Sequence, residues 1–310
     1  MAARILIIFP GALGDLICLA PTISAIARRH HGGEIELMAR GELADFAVGR
    51  LGIIRAHSID RREVALLFRE SANDDDDQAR RFFSLFARIY CFFSTDDPLF
   101  RRALIEASAP SVTTFHPFRP QDKGHVAAAY LKDVTGSDSL EKIAINFMAS
   151  DLEGETRAIS DLAEPKKFVA IFPGSGSAKK NWPIEKFSAL ADHLNEETPA
   201  VFILGPAENS SEAVLRDAGM IIIKNQPLGI VAALARMASV FVGNDSGVSH
   251  LAAAAGTPGV VLFGPSDPDR WRPLGRVTVL HHNPIESIEV AEVLTSIAAL
   301  GHRVQALTAR

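Results

Sequence analysis

The feature that most constrains this chain is a repeated beginning. Leu6-Ile-Ile-Phe-Pro-Gly11 returns, one domain length later, within Phe168-Val-Ala-Ile-Phe-Pro-Gly174. Each copy is a short apolar run without polar alternation, the look of a parallel strand buried on both faces. Each then breaks at Pro-Gly, where a strand cannot continue. Two related strand–turn starts predict two nucleotide-binding-type domains. A chain of 310 residues is long enough for two cores. The boundary is expected near residue 155, within the polar, poorly periodic stretch from Thr135 to Pro165, giving domains 1–155 and 156–310.

Strands and helices alternate after each start. Arg4–Phe9, Glu34–Met38, Ile53–Ile59, Arg88–Phe93 and Ser111–Phe115 read as strands, with helices over Leu16–Arg29, Gln78–Ala87, Pro98–Ala107 and Gly124–Val134. The second half continues with strands over Phe168–Phe172, Pro199–Leu204, Met220–Lys224, Ala238–Val242, Gly259–Phe263 and Val277–Leu280. This βαβ rhythm predicts doubly wound parallel sheets, with ligands outside the carboxyl ends of the strands. The tail Glu286–Ala299 carries one apolar stripe and is expected to close the fold, either locally or by returning to the first domain.

Three turns carry chemistry. The first, Pro10-Gly-Ala-Leu-Gly-Asp15, lacks the G-x-G-x-x-G dinucleotide spacing. Gly11 and Gly14 let it be tight, and Asp15 stands at the strand's carboxyl end; Asp15 could equally serve only the helix dipole. The second, Gly174-Ser-Gly-Ser-Ala-Lys-Lys-Asn-Trp-Pro183, is not a P-loop, yet supplies backbone N–H groups, hydroxyls and two lysines suited to phosphate oxygens. The third, Val242-Gly-Asn-Asp-Ser-Gly-Val-Ser-His250, leads from a strand into a helix whose start at Leu251 is a seat for a diphosphate. The plainer alternative makes Asp245 or Ser246 an ordinary N-cap. Glu208, after the Pro199–Leu204 strand, is a ribose acceptor or a helix-capping acid.

Other features point away from chemistry. The net charge of −5 argues against a nucleic-acid binder. Cys18 and Cys91 fall in a helix and a strand and read as core filler in a reducing cytoplasm. No apolar run has the ~18 residues a bilayer span requires, and Arg4 with the Pro10-Gly11 break makes the start a strand and not a signal peptide. The Asp74–Asp77 run reads as a solvated loop with caps, and Asp267-Pro-Asp269 as a rigid loop; both match a D-x-D metal pattern only formally.

Taken in order, Ile7–Asp15, Pro173–Pro183 and Val242–Ala254 continuing to Phe263-Gly-Pro-Ser-Asp-Pro268 resemble the glycosyltransferase family 9 heptosyltransferases. The resemblance implies a GT-B fold, two facing Rossmann-like domains with mostly parallel sheets: an acceptor-side N-terminal domain and a nucleotide-sugar-binding C-terminal one. It implies inverting, metal-independent transfer, without a cofactor, from a nucleotide-diphosphate sugar such as ADP-heptose to a lipopolysaccharide-core or other glycan acceptor. The expected setting is cytoplasmic, with at most peripheral contact at the inner membrane. On this resemblance Asp15 is the general base and Lys180 the neutraliser of the departing diphosphate. Asp245, Ser246, Gly247 and His250 form the donor turn, Ser175 and Gly176 add phosphate contacts, and Glu208 holds the ribose. Phe172 stands where the family usually has a histidine, and Thr95-Asp-Asp-Pro98 where it has Asp-x-Gln-Gly or Asp-x-His-Gly. The alternatives are an epimerase or hydrolase of the same fold, which lacks a second acid–base pair beside Asp15, and a non-catalytic nucleotide-sugar binder, for which both Asp15 and Lys180 would be superfluous.

Overall fold

A computed structural model describes residues 2–69, 76–143, 145–159, 165, 167–194, 198–206 and 208–301, the side chains of Asp76, Asn209 and Ser210 excepted. The chain divides into two units, Met1–Glu141 and Lys142–Arg310.

In the first unit β1 (Arg4–Ile8) is followed by α1 (Leu13–Arg29), β2 (Glu34–Ala39), α2 (Gly41–Ala47), β3 (Arg55–Ser58), α3 (Arg62–Leu66), α4 (Asp76–Phe83), β4 (Arg88–Cys91), α5 (Pro98–Ser108), β5 (Val112–Phe115) and α6 (Val126–Thr135). The sheet order is β3-β2-β1-β4-β5, and every pairing is parallel. The apolar run of β1 thus lies at the centre, buried on both faces, and its order reverses between β1 and β4. A doubly wound sheet places ligands at that switch point. One face packs Leu6, Ile8, Met38, Ile89 and Cys91 against Phe82, Phe83 and Phe86. Cys18 and Cys91 are both buried thiols, and burial pushes that of Cys91 up to about 12, which suits core filler.

The second unit comprises α7 (Ala149–Ile159), β6 (Val169–Phe172), α8 (Ile184–Asp192), β7 (Ala200–Leu204), α9 (Asn209–Asp217), β8 (Ile221–Lys224), α10 (Leu228–Met237), β9 (Val240–Asn244), α11 (Gly247–Ala254), β10 (Gly259–Phe263), α12 (Pro268–Trp271), β11 (Val277–His281) and α13 (Val290–Ala299). Its six strands run β11-β10-β9-β6-β7-β8, again all parallel. Here the switch point falls between β6 and β9. The two Phe-Pro-Gly strands are therefore equivalent: each is the first, central strand of a doubly wound sheet.

The division falls earlier than the expected boundary at 155. The stretch around residue 155 hides a helix, α7, that packs on α10 of the second unit. Asp151, Gly154 and Glu155 make α7 read as polar and broken, yet Asp151 and Glu155 are buried. A Cβ on Gly154 would meet the Ile230 side chain at 2.3 Å, so the glycine marks a close helix contact and not a linker. The tail helix α13 packs on α8, β10 and β11. Its Val293, Leu294 and Ile297 join the second unit's core, the local one of its two expected courses. Of the acidic run, Asp74 and Asp75 lie outside the described residues; Asp77 faces Arg81 at 3.7 Å, one helical turn on, with both side chains exposed.

Candidate active site

In the second unit the turns after β6 and β9 meet across the switch point. Asn244, the last residue of β9 and fully buried, fastens them together. Its Nδ2 donates to the Pro173 carbonyl at 2.7 Å, and its Oδ1 accepts from the Trp182 backbone N–H at 3.1 Å. Trp182 is buried, packs edge-on against Phe187, and donates its indole N–H to the Ile288 carbonyl at 3.0 Å. Losing a buried ring of this size costs about 3–5 kcal/mol, so the loop from Gly174 to Pro183 is anchored at both ends by the core.

Within that loop the Ser175 hydroxyl lies 2.6 Å from Asn181 Oδ1 and 2.8 Å from the Ser177 carbonyl. It folds the loop on itself, while Gly176 stays exposed. Lys180 ends a short 3-10 turn over Ala178–Lys180. Its Nζ reaches Asp245 Oδ2 at 2.6 Å. The Ser266 hydroxyl, beyond β10, donates to the same oxygen at 2.5 Å.

That pairing argues against the N-cap reading of the third turn. Asp245 spends its carboxylate on Lys180 and Ser266, and Ser246, at the N-cap position, makes no capping bond. The Ser246 hydroxyl contacts Ser249 Oγ at 3.3 Å, and Ser249 donates to the Asn244 carbonyl at 2.7 Å. Among the described residues no side chain caps α11, so its first N–H groups and its positive dipole end are left for another acceptor. The turn is also tighter than expected. The strand runs on through Gly243 and Asn244, and α11 starts at Gly247 and not at Leu251. His250 is consequently a buried residue inside the helix, and only Asp245 and Ser246 form the turn. Small residues let the helix sit close on the strand. A Cβ on Gly243 would meet Ser249 Oγ at 2.7 Å.

Glu208 stands at the N-cap position of α9 but makes no capping bond there. Its Oε2 accepts from the Gly205 N–H at 2.5 Å. Its Oε1 lies over Gly174, where an added Cβ would come within 2.0 Å. The carboxylate thus bends from the end of β7 to the end of β6, and Gly174 is glycine because the carboxylate occupies its side-chain space.

In the first unit Asp15 is the third residue of α1 and buried. The Ala12 N–H donates to its Oδ2 at 3.1 Å, as expected of an acid serving the helix start. A second interaction exceeds that role. Arg119, from the loop after β5, donates Nε to Oδ1 and Nη2 to Oδ2, both at 2.8 Å. This bidentate fork fixes the carboxylate's plane and raises the Arg119 pKa above its ordinary value. Gly11 makes room for the acid: a Cβ there would meet Asp15 Cβ at 2.6 Å and the Phe9 ring at 2.4 Å. Gly14 lies in the first turn of α1, half-buried.

The sequence singles out Asp15, Lys180 and Asp245, of which the structure pairs Lys180 with Asp245; it does not single out Arg119, Ser266 or Asn244, which hold Asp15, Asp245 and the 174–183 loop. Ser266 and Asn244 lay within recognised segments but carried no charge to mark them. Arg119 is one arginine among prolines and polar residues, and no local pattern joins it to Asp15. Asp267 Oδ1 caps α12 through the Asp269 N–H at 2.9 Å, and Asp97, in the Thr95–Pro98 stretch, caps α5 through the N–H groups of Leu99 and Phe100. Among the described residues no three His, Cys, Asp or Glu side chains are grouped to hold a metal, and no helix is long and apolar enough to cross a membrane.

Similarity to known proteins follows the same lines. The chain is 28% identical to lipopolysaccharide heptosyltransferase 3 of Escherichia coli over 166 residues, covering 50% of this chain and 48% of that one. The chain thus spans about half the length of this relative. Its fold is that of the glycosyltransferase family 9 protein from Veillonella parvula, at a TM-score of 0.81 with 18% identity, covering 96% of this chain and 97% of that one. It is also that of E. coli ADP-heptose lps heptosyltransferase II, at a TM-score of 0.74 with 20% identity, covering 96% and 98%. The profile of glycosyltransferase family 9 (heptosyltransferase) matches residues 125–293, more than half of the sequence and nearly all of the second unit's sheet and site, and the chain belongs to that family.

Proposed function

We propose that the protein is an inverting glycosyltransferase that moves a heptose from ADP-heptose to a lipopolysaccharide-core or related glycan acceptor, with no metal in the reaction. The observation that carries the reading is the uncapped start of α11 beside Lys180. A helix terminus whose neighbouring acid, Asp245, is already paired with a lysine is suited to a diphosphate.

In this reading the acceptor hydroxyl bonds to the anomeric carbon as its proton passes to the Asp15 carboxylate. The bond from that carbon to the diphosphate breaks, and its electron pair stays on the departing phosphate oxygen. Attack from the face opposite the leaving group inverts the centre. Positive charge grows on the sugar ring and negative charge on the phosphate, and the latter is what Lys180 and the α11 dipole stabilise. Lys180 is shared with Asp245 before the donor arrives, so it is held in place without being fully committed. Ser175 and Gly176 offer the 174–183 loop to phosphate oxygens. Ser246 and Gly247 present the helix start, and His250 packs behind it. Glu208 Oε1 offers an acceptor to ribose hydroxyls. Gly11 and Gly14 shape the acceptor side around Asp15. The acceptor is a glycan or glycolipid met at the inner face of the inner membrane by a cytoplasmic, at most peripherally bound, enzyme.

A thermal-shift panel of nucleotide sugars, followed by transfer assays on heptose-deficient core lipopolysaccharide, tests the proposal. Stabilisation by ADP-heptose above UDP- and GDP-sugars, with release of ADP only when acceptor is present, is the expected result. ADP release at an undiminished rate without acceptor would favour a hydrolase instead.

A further inference from the structure

The fork between Arg119 and Asp15 does more than pair charges. Among the described residues, Asp15 Oδ2 accepts from two donors, Arg119 Nη2 and the Ala12 N–H, whereas Oδ1 accepts from Arg119 Nε alone. A carboxylate oxygen has room for about two bonds. Oδ1 is then the oxygen left with an open lone pair, and the fork fixes where that lone pair points.

Arg119 is itself held by an unusual backbone. Its φ is +53°, in the left-handed region that a long side chain rarely occupies. Its N–H donates to the Tyr130 hydroxyl at 3.1 Å. Tyr130, on α6, is fully buried and sits edge-on to Phe9 and Phe92. Phe118, the residue before Arg119, packs edge-on to the same Phe9 and lies under the guanidinium at 5.0 Å. Phe9 is the last residue before the Pro10 turn that leads to Asp15. The aromatic group that sets the turn's shape therefore also sets the loop that brings Arg119 to the acid. Strained backbone that persists at such a place is over-determined by its surroundings.

We propose that Arg119 is a positioning residue for Asp15, presenting Oδ1 to the acceptor hydroxyl, and that the Tyr130 hydroxyl positions Arg119 by pinning its backbone. The inference rests on Asp15 being the general base. The role is geometric: a carboxylate free to rotate about its Cβ–Cγ bond would hold the proton-accepting lone pair in place only part of the time, and small misplacements of a reacting group cost up to about 10²-fold in rate.

The test measures kcat and the acceptor KM with ADP-heptose and heptose-deficient core lipopolysaccharide for Arg119→Ala, Arg119→Lys, Tyr130→Phe and Asp15→Asn, with ADP binding followed in parallel. For Arg119→Ala, kcat should fall about 10²-fold while the acceptor KM and ADP affinity hold, and added ethylguanidinium should restore part of the rate. Arg119→Lys keeps the charge but not the fork, and should stay well below the parent; it carries the test if the alanine variant does not fold. Tyr130→Phe should lower kcat less, in the same pattern. A raised acceptor KM at unchanged kcat in Arg119→Ala would make the arginine an acceptor contact and overturn the proposal. Loss of transfer in Asp15→Asn beside full kcat in Arg119→Ala would overturn the positioning role alone. Parent-level transfer by Asp15→Asn would remove the base itself, and the positioning role with it.

Discussion

Lys180 Nζ and Asp245 Oδ2 lie 2.6 Å apart, and the Ser266 hydroxyl reaches the same oxygen. Asp245 is buried, whereas Lys180 is about one-third exposed. The acid is thus kept from capping α11 by a cation that still faces solvent. Replacing Lys180 with Ala should weaken ADP binding and lower kcat together, because in the proposed reaction the lysine's charge acts on the diphosphate both before and during its departure. Calorimetric ADP affinity and steady-state rates check this; ADP affinity equal to that of the parent would count against the assignment. Ser266→Ala should give a smaller loss of the same kind.

Asp15→Asn should reduce transfer by about 10²–10⁴-fold, the usual worth of a general base. Donor binding should change little, since Asp15 belongs to the first unit and the donor groups to the second. Coupled detection of ADP release, with ADP affinity measured separately, reads both quantities.

Gly174 and Glu208 should behave as one element. A Cβ at 174 would collide with the Glu208 carboxylate, so Gly174→Ala should displace that carboxylate and weaken ADP binding to about the extent of Glu208→Ala. The double variant should be little worse than either single one, since residues in contact are not additive. Additive losses would separate the two residues.

Three histidines of the first unit, His30, His57 and His116, have pKa values lowered mainly by burial. For His57 and His116, hydrogen bonds donated by the ring N–H to the carboxylates of Glu36 and Asp133 oppose the shift without cancelling it. The folded state therefore holds fewer protons than the unfolded chain below the ordinary histidine value of 6.5. That stabilisation is complete above pH 6.5 and is lost as pH falls through the lowered folded values. Glu36 adds a second loss further down. Burial pushes its pKa up, but bonds from Arg4 and His57 outweigh this and hold it below 4.5. Urea unfolding at pH 7.5 and pH 5.5 should show lower stability at the acid value, with a shallower pH slope in His57→Gln; equal midpoints would refute the linkage.

EDTA should leave the rate unchanged, because in the proposed reaction Lys180 and the α11 dipole supply the positive charge that a metal would otherwise bring. A requirement for Mg²⁺ or Mn²⁺ in the transfer assay would overturn that part of the mechanism.

Much of this protein is written locally. The two Phe-Pro-Gly strands, buried on both faces, could be read as the centres of parallel sheets, because unalternating apolar runs ending in Pro-Gly have few other uses. The glycine-rich turns marked the carboxyl ends of those strands, since strand-to-helix turns are where backbone N–H groups are left unpaired. Tertiary structure decided the rest. Whether α11 is capped depended on Lys180 reaching Asp245 from another loop, and no spacing within 242–250 contains that distance. The unit boundary depended on α7 packing through Gly154 against Ile230, a contact that outweighs its polar sequence. Arg119 meets Asp15 only because the β5 loop and the β1 turn share one aromatic cluster. Local sequence sets the backbone's choices residue by residue, but an ion pair between distant loops exists only once the sheet has brought their strands' carboxyl ends to the same edge.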